Sequence, residues 1–209
     1  LVREARAANP EGSVAVLVRA RTHLPEIVAA LRRDGLSFQA IDIDPLSERS
    51  AVRDLVALTR AMLHVGDRPA WLAILRAPWC GLTLQDLHAL VGQASSPAPT
   101  TGREACPTIW DRLGGDLAAL SEEGQERAAR LRRTLEAAFA ERGRWPLRRW
   151  VERTWVALGG AACLAKDDDL QDAGDYLDLL EQHEEAGDLA DFDGFRTAIQ
   201  KLYAQPDAT

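Results

Sequence analysis

The sequence predicts a mainly α-helical protein with a small β-α-β unit at its start, on three observations. From about residue 46 onward, apolar residues recur at i, i+3, i+4 and i+7 in one window after another. Capping residues, glycines and prolines divide those windows into helix-sized pieces. Only two runs, 13–19 and 36–43, read as strands, and both precede the helical part.

Residues 13–19, SVAVLVR, form a continuous apolar run rich in β-branched side chains, as expected of a strand buried on both faces. Leu24, Ile27, Val28 and Leu31 then set a helical stripe that Gly35 ends. LSFQAIDI at 36–43 completes β-α-β, which implies a parallel pair joined by a right-handed crossover. Two strands do not make a stable sheet, so the chain is expected to be a piece of a longer protein that supplies the other strands. The expected division is a β-α-β region at 1–45 and a helical domain at 46–209.

Within the helical part, Val52, Leu55, Val56, Thr59, Met62 and Leu63 share one face, and a shorter helix runs from Pro69 to Arg76, closed by Pro78. Thr83 and Asp86 have capping-box spacing. Residues 93–107, rich in Ser, Pro, Thr and Gly, read as a loop. Ser121 opens a long helix with Glu122 and Glu123 in its first turn. Pro146 starts another, striped by Leu147, Trp150, Val151, Thr154, Trp155 and Leu158 and broken at Gly159 and Gly160. Two further stripes follow, Ala173, Tyr176, Leu177 and Leu180, then Phe192, Phe195, Ile199, Leu202 and Tyr203.

Composition narrows the function. The 209 residues are 46% hydrophobic and 27% charged, with no apolar run long enough for a membrane span and no signal-peptide pattern, so neither membrane nor secretion is expected. Cys80, Cys106 and Cys163 are widely spaced and lack any CxxC; they read as buried, reduced thiols in a cytoplasmic protein. His23, His64, His88 and His183 have no metal-ligand spacing, and Asp167, Asp168 and Asp169 read as a solvated acidic stretch before a helix. No Walker, Rossmann or nucleophile-elbow motif is present, so no catalytic residue, cofactor or metal site is assigned.

The net charge of −7 is unevenly spread: residues 1–165 carry +3 and residues 166–209 carry −10. The acidic end is unsuited to phosphate. Arg144, Arg148, Arg149 and Arg153 form the densest basic cluster, the last three within one arc of a helix opposite Trp150 and Trp155. That pattern suits a phosphate-facing helix and equally a solvated one. Trp71, Trp150 and Trp155 lie on apolar faces and read as core; Trp79 and Trp110 have no such explanation.

Residues 13–87, from SVAVLVR through ER-x-x-V-RDL to LRAPWCGL and the helix after it, resemble UvrD/Rep-type superfamily 1 DNA helicases where motor domain 2A passes into the inserted helical domain 2B. RGRWPLRRWVERTWVALGGAACL and GDLADFDGFRTAIQKLYA are similar to the RecB/AddA-like branch of ATP-dependent exonuclease helicases. The resemblance implies a multi-helical 2B-type accessory region of a DNA repair or recombination helicase, contacting DNA and modulating the motor. The parent would bind ATP and Mg, its catalytic residues lying outside this stretch, and its partners would be DNA, the remaining helicase domains and a nuclease subunit. Compact relatives carry a Gly-Ile-Gly turn that approaches duplex phosphate; here it reads Gly81-Leu82-Thr83, where the side chain of Thr83 limits close approach. Arg19 and Arg21 match the end of the 2A strand beside the single-strand track. The alternative reading is a protein-docking module without DNA contact, using the acidic helix at 172–186.

Overall fold

A computed structural model of the chain describes residues 1–9, 12–19, 23–36, 45–92 and 107–202. The described residues are mainly helical, with ten α-helices and no named strand. They divide into two units, one within residues 1–43 and one within residues 44–205.

The first unit contains α1 (Val2–Ala8), which has no counterpart in the pattern reading, and α2 (Leu24–Arg33). The predicted stripe of α2 is half-buried, Glu26 sits in its first turn, and Gly35 follows with φ +65°. That left-handed conformation suits glycine and ends the helix as expected. Arg3 Nη2 pairs with Asp34 Oδ1 at 3.2 Å, tying α1 to the end of α2. The strand expected at 13–19 is corrected. Residues 13–18 pair with no strand among the described residues, and Leu17 is 94% exposed. A strand satisfies its backbone only against a neighbour. The second strand of the expected pair, 36–43, lies outside the described residues except for Leu36.

The second unit begins with a 3-10 turn, Leu46–Glu48, and is built around α3 (Ser50–Leu63). The predicted face of α3 is buried except for half-buried Val56, and Ala51, Ala57, Leu58 and Ala61 are buried too, so α3 is covered almost all round by α4 (Arg68–Arg76), α8 (Leu147–Ala157) and α9 (Asp167–His183). A helix enclosed on most sides needs its polar side chains paired. Thr59 Oγ1 accordingly donates to Leu55 O at 2.9 Å and meets the Tyr176 hydroxyl of α9 at 2.8 Å. Burial pushes the Tyr176 phenol well above its ordinary range. At the start of α3, Arg49 Nε donates to the buried Asp172 Oδ2 at 2.5 Å. Burial raises the Asp172 carboxyl despite that guanidinium.

Short polar caps set four further helix starts. Asp67 caps α4, accepting from Ala70 N, and also holds Arg60. Thr108 and Asp111 form a full capping box on α6 (Ile109–Leu113), which holds the Asp111 carboxyl below its usual range. Ser121 caps α7 (Glu122–Ala140) through Gly124 N, and Asp191 caps α10 (Phe192–Lys201) the same way through Gly194 N. An aromatic ladder crosses four helices: Trp71 to Trp110 at 5.5 Å, Trp110 to Phe139 at 5.0 Å, Phe139 to Trp150 at 6.1 Å. Trp110 is therefore a core ring, closed over by the Arg132 guanidinium at 3.9 Å, and Trp79 is buried as well.

Two further details differ from expectation. Cys80 is buried but Cys163 is exposed, and Cys106 lies outside the described residues, as do residues 93–106 of the expected loop and Tyr203. Asp167, Asp168 and Asp169 form the first turn of α9 rather than a loop before it, where carboxylates oppose the helix dipole favourably. Leu46 N donates to Leu202 O at 2.9 Å, so the unit enters and leaves at one place.

Candidate nucleic-acid interface

The four clustered arginines have different surroundings. The turn 141–146 joins α7 to α8 and contains Gly143 at φ +76°, a conformation that a side chain would strain. It carries Trp145 to the start of α8, where Pro146 takes the N-cap position. Arg149 Cζ stacks 4.1 Å from the centroid of the Trp145 ring and Arg153 Cζ lies 5.3 Å from it. The nearest carboxylate oxygen to Arg153 is Glu141 Oε2 at 4.0 Å. Arg144 and Arg149 are exposed, and no ion pair involves either of them among the described residues.

Arg148 is corrected: it belongs to a structural ion network. Its guanidinium reaches Glu152 at 3.3 Å, Asp178 at 3.1 Å and Glu181 at 3.3 Å, and its backbone N–H donates to Glu184. At 30% side-chain exposure it is the counter-charge that lets acidic α9 lie against α8. The Nε contact with Glu181 is an ion pair without hydrogen-bond alignment.

The Gly81-Leu82-Thr83 turn keeps its amides inside the fold. Gly81 N donates to Ala77 O at 2.8 Å, Leu82 N to Leu75 O at 2.9 Å and Thr83 N to Asp86 Oδ2 at 3.3 Å. A turn that grips phosphate needs such amides free. Two of its carbonyls are bound as well, Gly81 O by Arg127 and Leu82 O by Arg76, and Arg130 holds Trp79 O just before it. Thr83 instead caps α5 (Leu84–Gly92), its hydroxyl donating to Asp86 at 2.6 Å while Asp86 N donates back at 3.1 Å. Ser121 N also donates to Asp86, at 2.7 Å. The Thr83 hydroxyl first, then Ser121, holds the buried Asp86 carboxyl below its ordinary range.

The sequence pattern does not single out Arg127 and Arg130. With Pro78, Cys80, Glu123 and Glu126 they line a cleft of about 680 Å³ between the 77–83 turn and α7. Burial raises the Cys80 thiol to about 11 in spite of the two arginines. Arg19 is exposed in the first unit, and Arg21 lies outside the described residues. Among the described residues, no three His, Cys, Asp or Glu side chains converge as metal ligands. No helix among them is long and apolar enough to cross a membrane. Neither a protein-family model nor a curated protein matches the chain.

Proposed function

We propose that this chain is the accessory, 2B-type region of an ATP-dependent DNA helicase or helicase-nuclease of repair and recombination, contacting DNA by its backbone and modulating the motor. The observation that carries the DNA contact is the α7–α8 corner, where Arg144, Arg149 and Arg153 are exposed and, among the described residues, their one ion pair is that of Arg153 with Glu141 at 4.0 Å. Guanidinium groups left unpaired at a surface are suited to phosphate oxygens, which they meet without reading bases. ATP and Mg belong to the parent motor, whose other domains would be the principal partners. Arg148, Gly81, Leu82 and Thr83 take no part in this reading, because their charge or amides are already engaged.

The second reading, a docking module for a nuclease subunit or another protein, draws on the −10 charge of residues 166–209, much of it on α9. A salt series separates the two. Labelled single-stranded oligonucleotide should bind weakly at about 50 mM salt, with a slope of log K against log salt of roughly −1.5 for two phosphate contacts. No affinity at low salt would leave the docking reading in its place.

A further inference from the structure

The arginines of α8 are divided between two environments by what lies beside them. Arg148 is matched by three carboxylates, whereas Arg149 and Arg153 share an aromatic ring. Like charges at i and i+4 repel, and flexible guanidinium groups so placed splay into solvent. The π-face of an indole attracts such cations and lowers the cost of holding them together. The Trp145 indole takes no hydrogen-bonding role beside this one. Its buried N–H meets no acceptor among the described residues, while that of Trp150 donates to Ala138 O at 2.7 Å.

We propose that Trp145 organises Arg149 and Arg153 into a two-guanidinium seat for one phosphodiester group, with Glu141 as the competing anion that the phosphate displaces from Arg153. This rests on the DNA-contact reading and adds to it a defined site, a positioning residue and an internal competitor. The ring is the back wall of the seat and not a platform for bases, because the arginines already occupy it. The contact is therefore blind to sequence. Holding two long side chains ready reduces the ordering cost of binding, which makes the ring contribute affinity without touching the ligand.

Two probes test the seat on the whole chain: dimethyl phosphate, followed through the Arg Nε–H signals in NMR, and a labelled dT12 oligonucleotide, followed by anisotropy. Dimethyl phosphate should shift the Arg149 and Arg153 signals and leave Arg148 unmoved. Trp145→Leu should weaken dT12 by roughly 3- to 10-fold with its charge unchanged, and Trp145→Phe by less. Glu141→Gln, nearly isosteric, should tighten dT12 about 2- to 5-fold, opposite in sign to any loss of folding. Arg149→Lys with Arg153→Lys keeps the charge and the exposed surface but loses the planar stacking, and should bind like Trp145→Leu. The seat is overturned if dT12 binds while the Leu, Gln and double Lys variants all match wild type; the DNA reading would then stand without it. If dimethyl phosphate shifts both arginines and dT12 does not bind, the seat stands and the DNA reading falls. Absence of both signals overturns both.

Discussion

Two carboxyl groups with opposite shifts make single residues measurable. Asp86 is 2% exposed and serves two helix starts at once, accepting from Thr83 and from Ser121. Asp86→Ala should cost roughly 2–4 kcal/mol in denaturant unfolding, since it removes a cap and leaves the Thr83 and Ser121 amides without this acceptor. Its folded pKa is depressed, so the stabilisation is complete above about pH 4 and fades as pH falls below that toward the folded value. The wild-type advantage over Asp86→Asn should shrink correspondingly on acidification. Asp54 behaves in the opposite sense: burial raises it to about 6 against 3.8, with Arg53 only partly offsetting. Ionised Asp54 therefore destabilises the fold fully above about pH 6 and not at all below about pH 4. Asp54→Asn should add about 1–3 kcal/mol at about pH 7.5 and nothing at about pH 3.5, read from the same unfolding curves.

At the scale of elements, α8 is held by two contacts of different kind: its apolar face on α3 and the Arg148 network on α9. Arg148→Ala leaves Asp178 and Glu181 with less compensation and should lower the melting temperature by several degrees, whereas Arg149→Ala should shift it little. Caps and stripes of this kind are legible in the sequence because they are local. Thr83 and Asp86 lie three residues apart, and Ser121 with its acidic first turn reads directly. The fate of Arg148 is not legible, since it depends on α9 arriving from thirty residues away to set Asp178 beside it. The same holds for the 79–82 turn, whose carbonyls are reached by Arg127 and Arg130 across 46 and 51 residues. Trp145, Arg149 and Arg153 are different: their four-residue spacing is plain in the sequence, but apolar stripes mark where the helix begins at Pro146 and say nothing of the ring just before it. The strand at 13–19 illustrates the reverse limit, because an apolar run specifies what could pair and not whether a partner is present.

At the scale of the molecule, the helical body of residues 44–205 has its own core and its own caps. Expressed as residues 45–202, it should keep its helical circular dichroism and unfold in one cooperative step, and loss of that cooperativity would show that the first unit is needed for folding. The hydrogen bond from Leu46 to Leu202 adds a topological property. A body whose entry and exit touch can be carried within a loop of another domain without forcing that loop apart, because the host's ends remain as close as in a tight turn. It can also be rewired. Joining residue 202 to residue 45 through a few glycines and opening the chain between 92 and 107 should give a circular permutant with the same helical content and a melting temperature within several degrees of the parent. The position of the termini would then be a matter of genetic convenience, and the helical body a cassette that a host domain could accept at a surface turn.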